Sequence, residues 1–156
     1  VRVDAGDGDA LQGLHVLLVE DNDLNAEILK TLLESRNLSV VWAENGKAAV
    51  ERFAESEPGE YAAILMDVRM PVMDGLEATR HIRGMTREDA RRIPIFALSA
   101  NAFADDIQQS MDAGMDMHLS KPIDIAVLEK TLSLFRTDKK NHGRAVFKRR
   151  VMEMEK

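Results

Sequence analysis

The sequence predicts an α/β fold in which one parallel sheet of five strands is covered by helices on both faces. Five short apolar runs alternate with five stretches of helical periodicity, which is typical of repeated strand-helix-strand units. Three of the runs are almost continuously apolar, as strands buried on both faces must be. The 156 residues, 45% of them hydrophobic, suffice for one core and are too few for two ordinary domains.

The predicted elements follow from the spacing of the apolar residues. The strands are Leu14–Val19, Leu38–Ala43, Tyr61–Met66, Ile93–Leu98 and Met115–Leu119, with the first, third and fourth at the sheet centre. The helices cover 24–36, 46–56, 75–83, 103–113 and 125–135, where apolar residues recur at spacing three or four. Asp23, Asp74 and Asp124 are the predicted helix caps, and Gly84 and Gly114 the predicted stops.

The topology follows from the handedness of the connections. Right-handed crossovers leave few arrangements of such units, and the prediction is a doubly wound, flavodoxin-like three-layer sandwich of strand order 2-1-3-4-5. Residues 1–13 are rich in Gly and Asp and are predicted to be a linker. Residues 14–136 form the predicted domain. Residues 137–156 form a basic tail of charge +4 on a body of charge −10, which sum to the formal −6.

Composition excludes several classes of function. Without cysteine there is no disulfide scaffold, thiol catalysis or cysteine-bound zinc, and the cytoplasm is the expected compartment. The acidic balance predicts no nucleic-acid partner. No apolar stretch reaches the roughly 18 to 20 residues of a membrane span, so this domain is expected to make no membrane contact. Because the chain begins with Val1, we expect a piece of a longer protein, for which a membrane anchor stays an open alternative.

Polar residues follow four of the predicted strands. Glu20 and Asp21 follow the first, Asp67 the third, Ser99 the fourth, and Ser120 with Lys121 the fifth. In open α/β sheets the ligand lies outside the carboxyl ends of the strands, where the winding reverses between the first and third strands. We therefore expect these side chains to meet at one edge of the sheet.

The residue types predict phosphoryl chemistry at this edge. Three converging carboxylates repel one another unless a cation neutralises them, and an all-oxygen set favours Mg²⁺. A lone lysine can pair with a carboxylate or with phosphoryl oxygens, and Ser99 adds a hydroxyl. Taken singly, Asp21 and Asp23 are more often helix caps, and a serine or lysine indicates little. Asp67 follows an apolar run, at the mouth of a buried strand where no cap is needed, so the set as a whole predicts a site that places a phosphoryl group on a carboxylate.

Three segments carry a resemblance to a known family. They are LLVEDNDLNAEIL (17–29), ILMDVRMPVMDGLEATRHIR (64–83) and IFALSANAFADDIQQSMDAGMDMHLSKPI (95–123). They resemble the receiver domains of response regulators in two-component signalling, most closely the receivers fused to hybrid histidine kinases. The resemblance spans residues 14 to about 135 and includes every expected landmark in order.

The resemblance implies a role for each residue of the predicted site. Asp67 is the implied phosphoacceptor, and Glu20 and Asp21 are the acidic pair that holds Mg²⁺. Arg69, two places after the acceptor, is implied to add a backbone carbonyl ligand. Ser99 and Lys121 match the hydroxyl and the lysine that contact the phosphoryl group, with Lys121–Pro122 a candidate cis peptide bond.

One position departs from the family pattern. His118 stands where the family often has the Tyr or Phe that turns inward with the hydroxyl, so it is either a switch residue or a surface histidine on an edge strand. The expected partner surface lies around residues 100–130, where Phe103 and Ile107 are predicted to belong to the core rather than to the interface. The implied partner is a histidine kinase or a histidine phosphotransfer domain, and a weak homodimer is a further candidate.

Four other functions are alternatives to a phosphorelay receiver. A degenerate, phosphorylation-independent module is disfavoured by the complete site, and a stand-alone regulator stays open beside the hybrid kinase. An aspartyl hydrolase commonly has Asp-x-Asp after the first strand, whereas here the acceptor strand is third and continues Asp67-Val68-Arg69. A DNA-binding output module needs more than the roughly twenty residues of the tail. The expected activity is self-phosphorylation followed by hydrolysis, without conventional turnover, while the parent chain is a candidate histidine kinase.

Overall fold

The strands form one parallel sheet at the centre of the molecule. The computed structural model describes residues 13–100 and 103–141, the side chains from 136 onward excepted. The strands are β1 His15–Val19, β2 Ser39–Ala43, β3 Ala63–Asp67, β4 Ile95–Ser99 and β5 Met117–Ser120. All neighbouring strands pair in parallel in the order β2-β1-β3-β4-β5, which confirms the predicted topology.

Within the described residues, six helices connect and follow the strands. They are α1 Asp23–Glu34, α2 Gly46–Glu55, α3 Gly75–Arg83, α4 Asp89–Arg92, α5 Ala104–Ala113 and α6 Ile125–Asn141. The short α4 was not predicted, because four residues are too few to show a period. α6 continues beyond the predicted end at 135, into the segment interpreted as tail. The rest of that segment, and the predicted linker before residue 13, lie outside the described residues.

The core consists of two apolar layers, one on each face of the sheet. Successive side chains of a strand point to opposite faces. Val16 and Leu18 therefore pack under α1 and α6, while Leu17 and Val19 pack under α2 and α3. β1, β3 and β4 are the interior strands, as predicted from their apolar runs. Because helices cover both faces of the sheet, its polar groups can reach solvent at the ends of the strands.

The helix ends agree with the sequence signals in most cases. Asp74 caps α3 by accepting from the backbone N–H of Glu77 (2.9 Å), and Asp124 accepts from that of Ala126 (2.9 Å). At α1 the prediction was wrong by one residue, since Asn22 is the cap and Asp23 is the first helical residue. Either side chain is short enough to cap, so the backbone path decided which one does. Gly84 and Gly114 end their helices as predicted.

Two amphipathic faces differ from expectation. The row Leu24, Ile28 and Leu32 revealed α1 as a helix, yet these side chains are 65%, 51% and 38% exposed. The buried face of α1 is instead Ala26, Leu29 and Leu33. The prediction that Phe103 belongs to the core was wrong, since its side chain is 71% exposed. Phe103 lies just before α5, and the buried residues of that helix are Ser110 and Ala113. Ile107 is half-buried.

A buried ion pair joins α3 to the start of β4 and β5. The Arg83 guanidinium lies 2.8 Å from the Asp116 carboxylate, and both side chains are largely shielded from solvent. Arg83 also donates to the carbonyl oxygens of Gly114 (3.0 Å), Ala90 (3.0 Å) and Ile93 (2.7 Å). This cluster lies at the amino ends of the strands and supports the edge of the sheet opposite the polar one.

The described part of the chain contains no helix that is both long and apolar enough to cross a membrane.

Candidate functional site

The parallel sheet gathers the predicted polar residues at its carboxyl edge. Asp67 is the last residue of β3 and pairs with Leu98, and Ser99 ends β4 beside Ser120. Glu20 follows β1, and Lys121 follows β5 and donates its backbone N–H to the carbonyl of Ser99 (2.8 Å). Because all strands run in the same direction, their last residues reach one edge. The Lys121–Pro122 peptide bond is cis, as expected.

Three carboxylates and one ammonium form the centre of the site. Ligand oxygens of Glu20, Asp21 and Asp67 lie within 4.8 Å of one another. Lys121 Nζ donates to Glu20 Oε1 (3.0 Å) and to Asp67 Oδ2 (3.1 Å). Glu20 and Asp67 are only 3% and 5% exposed, whereas Asp21 is exposed. A single lysine therefore partly neutralises two buried carboxylates, and further positive charge would be favourable.

The electrostatics of Asp67 reflect this deficit. The pKa of the Asp67 carboxyl is raised to about 7. Burial is the largest cause and the neighbouring charge of Glu20 the next, while Lys121 offsets only part of the rise. For Lys121, burial alone would lower the pKa, but the hydrogen bonds and charges of Glu20 and Asp67 outweigh burial and raise it. Lys121 thus stays charged at neutral pH, while Asp67 lies near its own titration midpoint when no metal is bound.

The loop after Asp67 brings α3 unusually close to β3. The Gly75 N–H donates to the carbonyl of Val68 (2.9 Å), and a Cβ at Gly75 would overlap the carbonyl oxygen of Asp67. Only glycine permits this approach. Val72, in the same loop, has the left-handed φ of 71°, which is strained for a β-branched residue. The loop is therefore held in a defined shape beside the carboxylate.

Ser99, Arg69 and His118 together line a cavity of about 140 Å³. Ser99 is buried, and the exposed Arg69 guanidinium pairs with Asp106 of α5 at 3.5 Å. His118 is half-buried, and burial lowers the pKa of its imidazole. Its Nε2 is enclosed and has no hydrogen-bond partner among the described residues. A fully surface-exposed histidine is therefore not what the structure shows.

Trp42 is a contact of the site that sequence reasoning missed. Its indole Nε1 donates to the backbone carbonyl of Glu20 at 2.8 Å. Trp42 precedes the last residue of β2, in an ordinary strand pattern, and no motif marks it. The signal that could have found it is the predicted pairing of β1 with β2, which places the ends of the two strands together.

The site fits Mg²⁺ by the chemistry of its donors. The three candidate side-chain ligands are all carboxylates. Those of Glu20 and Asp67 are buried with incomplete charge compensation, and the exposed Asp21 leaves room for water. Mg²⁺ typically takes one or two protein carboxylates and keeps several waters. The cluster belongs to residues 13–100, and the described chain adds no histidine or cysteine ligand to it.

Comparison with known proteins decides the family. The sequence pattern of the response regulator receiver domain matches residues 16–133, which is most of the chain. This chain is a response regulator receiver domain.

The similar proteins are sensor kinases and isolated receivers. The receiver is 42% identical over 126 residues to the aerobic respiration control sensor protein ArcB of Escherichia coli, a match that covers 80% of this chain and 15% of that protein. The receiver domain of the sensor histidine kinase PA1611 of Pseudomonas aeruginosa, which has a magnesium ion in its active-site cleft, is 44% identical, with TM-score 0.68 and coverage of 77% of this chain and 94% of that one.

A third similar structure contains a partner. The receiver domain of Saccharomyces cerevisiae Ssk1, solved with the histidine phosphotransfer protein Ypd1, is 29% identical, with TM-score 0.73 and coverage of 83% of this chain and 92% of that one. The receiver spans only 5% to 15% of the length of the histidine kinases that it matches. The resemblance to receivers of hybrid kinases is thus confirmed.

The raised pKa of Asp67 predicts how stability depends on pH without metal. The folded pKa of about 7 lies above the ordinary 3.8, so the folded state retains the proton more strongly and loses this stabilisation as pH rises between those values. Asp67→Asn removes the effect. The free energy of unfolding of Asp67→Asn minus that of wild type should therefore increase by about 2 kcal/mol from pH 5 to pH 8.

Urea unfolding in EDTA at both pH values measures this difference. Asp105→Asn, which changes an exposed acid in the first turn of α5, is the matched control and should show a constant difference. A pH-independent difference for Asp67→Asn would contradict the raised pKa.

Proposed function

We propose that this receiver accepts a phosphoryl group from a phosphohistidine onto the Asp67 carboxylate and passes the change to a partner surface. The observation that carries the proposal is the bridge from Lys121 Nζ to the buried carboxylates of Asp67 and Glu20, 3.1 and 3.0 Å away, beside Asp21. This arrangement concentrates uncompensated negative charge where a metal and a phosphoryl group would meet.

Each residue of the cluster has a proposed role. Glu20, Asp21 and Asp67 hold Mg²⁺, and the backbone carbonyl of Arg69 is a further proposed ligand. Bound Mg²⁺ would neutralise the carboxylates and the phosphoryl oxygens. Lys121 moves part of its hydrogen bonding from the carboxylates to the phosphoryl oxygens, and its positive charge offsets the negative charge of those oxygens.

The transfer step is an in-line displacement at phosphorus. A carboxylate oxygen of Asp67 forms the new O–P bond while the P–N bond to the donor imidazole breaks. The imidazole nitrogen leaves with the bonding electron pair and regains a proton. Asp67 must be ionised to attack, and Mg²⁺ held by Glu20, Asp21 and Asp67 would lower its pKa from about 7. Water later cleaves the acyl phosphate, so the domain performs one transfer and one hydrolysis rather than conventional turnover.

The cavity beside the acceptor supplies the proposed switch. Ser99 lies at the end of β4 and lines this cavity together with His118 and Arg69. The Ser99 hydroxyl is proposed to donate to the phosphoryl group, and the enclosed His118 ring to change position with it. The support for His118 is its unpaired Nε2 among the described groups, which gives the ring a hydrogen bond to gain.

The test of the chemistry is intact-protein mass after incubation with acetyl phosphate. Wild type with Mg²⁺ should gain one phosphoryl group, while Asp67→Asn, or wild type in EDTA, should gain none. Asp105→Asn controls for the loss of a carboxylate. A folded wild type that binds Mg²⁺ yet gains no mass would favour the degenerate interaction module instead.

An apolar groove indicates how a phosphodonor partner docks. It has a volume of about 370 Å³, and Ile28 and Leu32 of α1 line it together with Pro122 and Ile123. Glu20 and Lys121 also line it, and Lys121 contacts Asp67, so a helix seated in the groove could present a histidine to Asp67. Such docking would cover Ile28 and Leu32, two of the three exposed apolar residues of α1. We propose a helix of a histidine phosphotransfer domain as the occupant, within a parent chain of the hybrid-kinase type.

Placing a charge in the groove should separate docking from chemistry. Ile28→Asp is expected to slow phosphoryl transfer from phosphorylated Ypd1, used as the probe, at least about tenfold, because a carboxylate there loses apolar contact and must be desolvated. Phosphorylation by acetyl phosphate should be unchanged. Phe103→Asp is the comparison, because Phe103 lies in the region around residues 100–130 that the sequence predicts as the partner surface. Loss of transfer in Phe103→Asp but not in Ile28→Asp would place docking beside α5.

A further inference from the structure

The backbone that holds two of the three carboxylates is fixed by the neighbouring strand. The N–H of Glu20 donates to the carbonyl of Ala43 (3.1 Å), which extends the pairing of β1 with β2 by one bond. The carbonyl of Glu20 accepts from Trp42 Nε1 (2.8 Å). Both backbone polar groups of Glu20 are therefore held by the end of β2.

The hydrogen bond from Trp42 acts through the peptide group on the next residue. A peptide unit is planar, so the carbonyl oxygen of Glu20 and the N and Cα atoms of Asp21 move together. Fixing the direction of that oxygen therefore fixes the positions of the N and Cα atoms from which the Asp21 side chain departs.

Asp21 needs this support more than its two neighbours. The side chains of Glu20 and Asp67 are buried and hydrogen-bonded to Lys121, whereas Asp21 is exposed. Repulsion from the two buried carboxylates tends to turn Asp21 away towards solvent. Its position near them therefore depends on the backbone.

We infer that Trp42 is a positioning residue of the metal site, whose indole N–H aims the Asp21 carboxylate at the point shared by Glu20 and Asp67. This inference rests on the proposed Mg²⁺ site. Groups that orient a metal ligand from behind typically change metal affinity about 10- to 100-fold when removed. Because Trp42 acts on one of three carboxylates, the expected loss of Mg²⁺ affinity is about tenfold.

Trp42 also packs on the core, so the experiment must separate the two roles. Trp42 is the single tryptophan of the chain, and biosynthetic replacement by a benzothiophene analogue changes this residue alone, exchanging N–H for sulfur in a ring of similar shape. Val40→Ala is the matched control, since Val40 lies on β2 and packs against the same core cluster without contacting Glu20 through a donor.

Calorimetric titration with Mg²⁺ measures the dissociation constant directly, without a phosphodonor. The analogue and Trp42→Phe should each bind Mg²⁺ about tenfold more weakly than wild type. Val40→Ala should bind like wild type, although it lowers the urea midpoint. Mg²⁺ affinities within twofold of wild type for both Trp42 replacements would overturn the positioning role and leave the proposed function intact.

Two further outcomes are equally informative. Weakening by Val40→Ala as large as that by the analogue would overturn the inference, because loosening of β2 would explain both. A folded wild type that binds no Mg²⁺ would contradict the proposed metal site itself, and the inference with it.

Discussion

Lys121→Met is expected to slow phosphoryl transfer to Asp67 by about a hundredfold or more at saturating Mg²⁺. Lys121 Nζ contacts both Glu20 and Asp67 and is the charge available to oppose the incoming phosphoryl oxygens. Methionine keeps much of the length and packing of the lysine stem without its charge. The rate of mass increase with acetyl phosphate measures the effect.

The same substitution should also destabilise the metal-free protein. Without Lys121, the buried carboxylates of Glu20 and Asp67 face each other uncompensated, and breaking a buried pair costs about 3 to 5 kcal/mol. The loss should be smaller at pH 5, where Asp67 retains its proton, and Mg²⁺ should restore part of it at pH 8.

Controls separate charge from shape at this position. Lys130→Met, at an exposed lysine on α6, should change neither rate nor stability. Lys121→Arg keeps the charge, so it should preserve most of the stability while slowing transfer, because the guanidinium is a planar fork rather than a point charge. A Lys121→Met rate within threefold of wild type would contradict the proposed role.

Arg83→Met is expected to lower the free energy of unfolding by about 3 to 5 kcal/mol, a large part of the stability of a domain this size. The substitution leaves the Asp116 carboxylate, whose side chain is fully buried, without its guanidinium. Asp116 would still accept from the backbone N–H of Ile95 at 3.0 Å, which does not neutralise its charge. The carbonyl oxygens of Ala90 and Ile93 also lose a donor.

Urea unfolding of matched variants tests this prediction. Arg80→Met, on the exposed side of the same helix, should cost less than about 0.5 kcal/mol. Combining Arg83→Met with Asp116→Asn should recover part of the lost free energy of unfolding, because the negative charge of the buried Asp116 is removed. An effect of Arg83→Met below 1 kcal/mol would show that water or a rearranged neighbour satisfies Asp116.

The gathering of the site was predictable because it depends on topology alone. Parallel strands place their last residues at one edge, so the order of apolar runs was enough to bring Glu20, Asp67 and Lys121 together before any side-chain geometry was known. The burial of individual helix faces was less predictable. The row of Leu24, Ile28 and Leu32 is as apolar as the face that packs, so the spacing of apolar residues alone does not show which face meets the sheet.

By itself, the sequence determined the five strands, their parallel order and the residue types at their ends, because apolar periodicity is a local property of the chain and right-handed crossovers leave few topologies. Only the tertiary structure decided that Trp42 holds the carbonyl of Glu20, that Arg83 neutralises Asp116, and that α1 leaves an apolar row exposed. Each of these depends on the distance between groups far apart in the chain, and such distances are set when the helices pack on the sheet.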